Sequence, residues 1–418
     1  MDSRDAGCPP RADLPENDIW EDHISANPRR GGQLPAHGPE IHPQQRHRYL
    51  APTRGARVNL LTGIDLTYPS PGGSVELLQD LYLAPDSRIP ADVFMLAPAD
   101  GTASGPGRGP ALLSVDGKAL SGVSFWSYVE RLVAAVKKRF GTTDYEVLHL
   151  QHLTFGATPA LQRAFPEQAK IALVHGTDLL FAMENPTQAE VLRETTGSVD
   201  AIVVPTKAMA DRLRQITPVS PNRIVHIPWG VPDQLLARPP IRSVRPQGVL
   251  RILYAGRLTA QKATPYIIAA AAEFDGIELG VAAPAAEYAM FAEQADLSRV
   301  RYLGWLSREQ LWREFARHDV LMVPSPKLEA FGLVAVEAQA CGLPVIYQPM
   351  SALVEVLGDS ALAVDFGDIG KLATTFKNLN GSQALLDETG SAGLVNSARF
   401  PLSRTARELS ELSLEVLR

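Results

Sequence analysis

The stretch Glu329-Ala-Phe-Gly-Leu-Val-Ala-Val-Glu337 sets two carboxylates seven residues apart, with Phe331-Gly332 between them. Val320-Leu-Met-Val-Pro-Ser325 precedes it, and Cys341-Gly342-Leu-Pro344-Val-Ile346 follows. The pattern predicts an apolar strand ending at Val323, a turn carrying Glu329 and a helix opening near Gly332. Glu337 then lies more than one turn inside that helix. Its neighbours Val334, Val336, Ala338 and Ala340 are apolar or small. The helix is therefore expected to be buried, where an unpaired carboxylate would be costly. Main-chain N–H groups at the helix start, with the positive end of the dipole, suit a phosphate. The two carboxylates can accept hydrogen bonds from hydroxyls. Together these features describe a nucleotide-sugar site.

Working outward, strand-like and helix-like segments alternate on both sides of this stretch. Residues 57–62, Val93–Leu96, Val147–Leu150, Ile171–Val174 and Ala201–Val204 are short apolar runs, most followed by a polar turn and a helix. Arg251–Tyr254, Ile277–Val281, Val300–Leu303, Asp319–Val323, Pro344–Ile346 and Ala361–Val364 continue the rhythm. Apolar strands interleaved with helices indicate α/β parallel sheets covered on both faces. Prolines at positions 239, 240 and 246 interrupt the alternation. The organisation expected is a leader over 1–55, a Rossmann-like domain over 56–236 and a linker over 237–248. A second Rossmann-like domain follows over 249–400, then a final helix over 401–418. The leader is rich in Pro, Gly, Arg and His and cannot bury enough apolar surface to offset its ordering entropy.

Composition narrows the function. A chain of 418 residues with 45% hydrophobic residues and a formal net charge of −6 suits a two- or three-domain soluble protein. An acidic chain without a basic face argues against general nucleic-acid binding. Two cysteines, Cys8 and Cys341, do not make a disulfide framework, and a reducing cytoplasm is expected. No apolar run reaches the ~18 residues of a membrane span. Alanine and arginine richness suits a high-GC bacterium and a specialised biosynthetic pathway.

The Glu-X7-Glu segment resembles that of the retaining GT-B glycosyltransferases of the glycogen-synthase and sucrose-synthase type. Tyr254-Ala-Gly256-Arg257-Leu258 with Lys262 resembles the family's Gly-Arg-Leu…Lys-Gly segment. Pro71-Gly72-Gly73-Ser74 resembles its N-terminal glycine loop, and His226-Ile-Pro-Trp-Gly230-Val its Pro-Asn-Gly-Val segment. The resemblance covers roughly residues 57–400 in the family's order. It implies two doubly wound domains facing across a cleft, and a nucleotide-diphosphate sugar, UDP- or GDP-linked, as co-substrate.

Residue by residue, the resemblance implies that Arg257 and Lys262 neutralise the leaving diphosphate. No Asp-X-Asp segment is present, so no metal is expected. Two such cations contribute on the order of 4 kcal/mol each at 4 Å in an effective dielectric of ~20. Glu337 would accept the ribose hydroxyls, and Glu329 would meet the transferred sugar. Phe331 and Gly332 would turn their amides toward that sugar, and Leu333 would join them in the donor site. Gly72 and Gly73 would let the backbone approach the diphosphate. His175 would face sugar and acceptor, with Asp178 able to orient it. Main chain at Gly304 and Trp305 would read the base. The last helix would cross back onto the first domain.

Some positions depart from the pattern. Ala263 replaces the glycine after the lysine, Trp229 the asparagine before Gly230, and Ser351-Ala352 a Gly-Gly pair before Glu355. His149 and Gln151 stand where many relatives have His-X-His, which implies an altered acceptor side. With no basic channel for a polymer, a small polar acceptor is expected. Two competing readings remain. One is a membrane-associated transferase, because Phe125, Trp126, Val129, Leu132, Val133, Val136 and Phe140 form a helical stripe ahead of Lys137-Lys-Arg139. The other is a non-catalytic nucleotide-sugar-binding protein, which would need neither Glu329 nor His175.

Overall fold

Strands buried on both faces have no polar alternation, and the chain uses such runs throughout: Val147–Leu150, Ala201–Val204 and Val320–Val323 are buried at every residue. The computed structural model describes residues 58–84, 88–98, 109–260 and 262–418. The expected leader and Cys8 lie outside the described residues.

The first sheet comprises β1 (Leu60–Thr67), β2 (Asp92–Leu96), β3 (Ala111–Leu113), β4 (Val147–Leu150), β5 (Ala169–Leu173), β6 (Ala201–Val204) and β7 (Ile224–His226). Their order is β3-β2-β1-β4-β5-β6-β7. The second comprises β8 (Leu250–Ala255), β9 (Ile277–Ala282), β10 (Val300–Gly304), β11 (Val320–Val323), β12 (Val345–Tyr347) and β13 (Leu362–Ala363), ordered β10-β9-β8-β11-β12-β13. The strand pairs are parallel, as β1 with β4 and β8 with β11 illustrate. Both orders reverse direction once, between β1 and β4 and between β8 and β11. Doubly wound sheets bind ligands at such switch points.

β3 and β7, three residues each and only partly buried, escape the periodicity reading because they are too short to show a pattern. The segment after the glycine loop is helical to Leu83 but changes its hydrogen-bond spacing part-way. An α-helix spans Gly73–Leu78, and a π-turn over Gln79–Leu83 follows, with Ala84 N–H donating to the Gln79 carbonyl at 2.8 Å. The proline-rich stretch around 238–249 has no regular structure, yet it is tied down. Arg242 donates to the His318 carbonyl and Arg245 to the Asn380 carbonyl, both at 2.8 Å.

The stripe offered as a membrane face belongs to the Gly122–Phe140 helix. Phe125, Val129, Leu132, Val133, Val136 and Phe140 are buried in the core against the first sheet. Trp126 is half-buried beneath the Arg163 guanidinium, 4.5 Å from its ring. The lysines and arginine at the helix end complement the dipole. No helix among the described residues is long and apolar enough to cross a membrane.

The Leu402–Glu415 helix lies against the first sheet's elements. Leu402 N–H donates to Val231 O and Val231 N–H to Phe400 O, each at 2.9 Å. A Cβ on Gly230 would come within 2.5 Å of Leu402 Cα, so only glycine permits this approach. Asp233 caps the helix start through Ser403, and Ser413 Oγ reaches the His149 imidazole at 2.9 Å. One buried cluster runs without interruption from Ile64 and Ile171 to Val323, Phe331 and Leu412, joining both sheets.

Candidate active site

The two sheets meet along the turn that carries Glu329. Ala330 O accepts from Thr206 Oγ1 at 3.1 Å, and a Cβ on Gly176 would touch Ala330 Cβ at 3.0 Å. Gly332 adopts φ 83°, the left-handed conformation that favours glycine, and precedes the Leu333–Ala340 helix. A side chain there would strike Leu353 at 2.5 Å. On the facing side Gly72, at φ 140°, starts the Gly73–Leu78 helix, and a Cβ on Gly73 would lie 3.8 Å from the Leu333 side chain. The glycine loop and the Glu-X7-Glu helix therefore face each other. Phe331 is buried edge-on to Phe400, centroids 5.2 Å apart, which fixes the turn.

The cations of the second sheet are present, but each has a carboxylate partner. Lys262 pairs with Glu329, whose same oxygen also receives Ser325 Oγ–H at 3.4 Å. Lys262 and Glu329, read separately in the sequence, thus touch at the β8/β11 switch point. Arg257 pairs with Glu287, which also accepts from Leu258 N–H at 2.8 Å. Arg257 thus rests in an ion pair with a carboxylate of the helix after β9. Glu337 is paired as well. Arg308 Nε donates to its Oε1 at 3.1 Å, Arg308 Nη2 binds the same oxygen, and Trp312 Nε1–H reaches Oε2 at 3.1 Å. Arg308 also pairs with Asp80 of the first sheet's π-turn. Burial disfavours the Arg308 cation, but Glu337 and Asp80 more than offset that and hold its pKa above the ordinary value. Burial raises the nearby Glu76 carboxyl, opposed by Arg308 and reinforced by Asp80 and Glu337.

Glu287, Arg308, Trp312 and Asp80 were missed by sequence reasoning. The available signal was Arg308 and Trp312 at i and i+4 on one helix face. Gly304, at φ 80°, and Trp305, 43% exposed, end β10 at the sheet edge. Beside them Tyr302 stacks on Tyr288 with centroids 4.2 Å apart.

The first sheet's half of the cleft is built differently. His175 follows β5, stacked at 5.6 Å on the buried Trp229 and 5.0 Å from His152. Burial, then the neighbouring His152, drives the His175 pKa well below its usual value. His152 falls to about 3 by burial, with Lys118 adding to the effect. It was also missed in the sequence, though it follows β4 at the switch point. His149 falls to about 3 by burial and sits between Tyr82 OH at 2.7 Å and Ser413 Oγ at 2.9 Å. Asp178 does not orient His175. Its Oδ2 accepts from Leu153 N–H at 3.1 Å, and burial raises its pKa to about 6 against backbone hydrogen bonds from Leu153 and others. His175 Nε2, Trp229 Nε1, Asp178 Oδ1 and Gln151 Oε1 are buried without a hydrogen-bond partner among the described residues. Unpaired buried polar atoms are costly and mark places where a ligand can complete them. No cluster of three or more metal-ligating side chains occurs among the described residues.

Two doubly wound parallel sheets that meet along one buried cluster are the architecture of the GT-B class. Residues 72–235 match the family model described as Glycosyltransferase Family 4, and residues 241–393 match Glycosyl transferases group 1. The D-inositol 3-phosphate glycosyltransferase of Mycobacterium sp. (strain JLS) is 29% identical over 264 residues, 56% of this chain and 59% of that protein. That of Nocardioides sp. (strain ATCC BAA-499 / JS614) is 27% identical over 306 residues, 63% of this chain and 66% of that protein. The chain thus spans about three-fifths of the length of the curated relatives it matches. Among solved structures, sucrose-phosphate synthase from Thermosynechococcus elongatus superposes with a TM-score of 0.70 at 19% identity, covering 86% of this chain and 99% of that one. Anabaena Alr3699/HepE in complex with UDP-glucose gives 0.67 at 16%, covering 85% and 98%. At such identities these two likenesses establish the fold alone. With both family models matched in order along most of its length, the chain belongs to the group 1 and family 4 GT-B glycosyltransferases.

Proposed function

We propose that this glycosyltransferase moves a sugar from a nucleoside-diphosphate donor, UDP- or GDP-linked, to a small polar acceptor with retention at the anomeric carbon. The observation that carries the reading is the Lys262–Glu329 ion pair beside the Gly332 turn, at a switch point and opposite the glycine loop. Donor hydroxyls that take over Glu329 free Lys262 for the diphosphate, and Arg257 can follow by leaving Glu287. Charge developing on the leaving phosphate is then met by these released cations and the helix start. The acceptor O–H attacks the anomeric carbon, the sugar–phosphate bond breaks, and the acceptor proton passes to a departing phosphate oxygen.

A small acceptor suits the neutral half of the cleft, where His175 Nε2 and Trp229 Nε1 await partners. The relatives' printed acceptor, an inositol phosphate, is also small and polar. UDP-glucose in one structural neighbour supports a nucleotide-sugar donor. The residues present supply two cations without a metal. Calorimetry with UDP, GDP and ADP in EDTA, followed by turnover of the matching sugars and NMR of the product anomer, is the test. Binding without turnover would indicate a non-catalytic binding protein, an inverted product would refute retention, and loss of all binding in EDTA would refute the metal-free reading.

A further inference from the structure

Glu337 has little room left for a ribose. A carboxylate offers about four lone-pair directions. Three are used: Oε1 takes both Arg308 Nε and Nη2, and Oε2 takes Trp312 Nε1–H. One direction remains, whereas a ribose presents two vicinal hydroxyls. For Glu337 to accept both, Arg308 must yield part of Oε1. The guanidinium is 15% exposed, and releasing it without another partner would strand a buried charge. Asp80, on the opposite side of the cleft, is already that second partner.

We propose that Arg308 is a positioning residue that sets ribose recognition through Glu337, with Asp80 across the cleft as the partner that lets it yield. This rests on the reading of Glu337 as the ribose carboxylate. Asp80 then influences nucleotide affinity without touching nucleotide. It also links the ribose to the first sheet, because Asp80 lies in the π-turn directly after the glycine-loop helix. When the ribose is seated, Arg308 shifts its charge toward Asp80 and draws the two halves together.

The test uses the full chain and compares wild type, Asp80→Asn, Glu337→Gln and the double variant by calorimetry. The probes are UDP, GDP and ADP, and then the 2′,3′-dideoxy analogue of whichever binds. Asp80→Asn should weaken the ribonucleotide roughly five- to ten-fold through a coupling transmitted by Glu337. It should leave the dideoxy analogue unchanged and add nothing to Glu337→Gln. Arg308→Lys keeps the cation but drops the two-pronged grip on Oε1, so the preference for ribo over dideoxy should rise. Asp80→Asn binding like wild type, or losing both probes equally, overturns the proposal while leaving the donor site intact. A wild-type protein that binds none of the three nucleotides removes the donor reading and this proposal with it.

Discussion

The two halves of the cleft handle polarity in opposite ways. On the second sheet, Arg257, Lys262 and Arg308 each carry a charge neutralised by a carboxylate. On the first sheet, His149, His152 and His175 are held neutral by burial, and several polar atoms have no partner. The charged half must exchange internal partners when a ligand arrives. The histidines and unpartnered polar atoms of the other half only gain them. On the proposed function this division matches the two substrates, because a diphosphate arrives charged and a polyol does not.

The strongest attempt to break the contrast is Lys262→Ala. If the cation serves the leaving group, turnover should fall by about 10²–10³, or ~3–4 kcal/mol of transition-state stabilisation. The melting temperature should barely move, since the side chain is 37% exposed. Turnover near that of wild type would show the pair to be structural.

Asp178 probes the neutral half. Its carboxyl rises to about 6 from an ordinary 3.8 because burial penalises the charge. The folded state therefore binds more protons between those values, and its contribution is full below pH 4 and lost as pH rises through 6. Wild type should lose about 2 kcal/mol relative to Asp178→Asn between pH 4 and 7, most of what roughly two pKa units are worth. Parallel denaturation curves at both pH values would contradict it.

Glu337→Gln and Glu329→Gln sharpen the division within the charged half. The first should cost about 1.5–3 kcal/mol of free nucleotide affinity, the worth of hydrogen bonds to a charged group. The second should spare nucleotide affinity and damage single-turnover transfer. Equal losses of nucleotide affinity would mean that the helix does not face the donor as assigned.

His149 gives the smallest effect. Its pKa is depressed, so the stability it contributes is present above pH 6.5 and is lost as pH falls toward 3. Between pH 7 and 5 that is about 2 kcal/mol. His149→Asn should remove this increment from the acid sensitivity. A His149 ring that titrates near 6.5 by NMR would place it in water and end the contrast.

Much of this was readable in the sequence. Val147–Leu150 and Ala201–Val204 appear as strands at the expected residues because they are short apolar runs, with His149 the one polar side chain among them. Lys262 and Glu329 sit at strand ends, where topology alone brings them to one switch point. The partners were hidden for a physical reason. Glu287 lies in the first turn of a helix and Arg308 opens another, so both look like ordinary end-of-helix charges. Their partners Arg257 and Glu337 are about thirty positions away, one βα unit removed. Asp178 misled because proximity in sequence to His175 suggested a pair, while the helix turn aims its carboxylate at the Leu153 amide instead.

The hydrogen bond between His149 and Ser413 spans 264 positions. A ribosome adding ~5–20 residues per second needs roughly 13–50 s to travel that distance. For the part of that interval after β7 ends at His226, all strands of the first sheet are made while the His149 imidazole still lacks one of its two partners. The nascent N-terminal half therefore waits on the last helix to finish its interior, and the two halves are bound to a common fate on release.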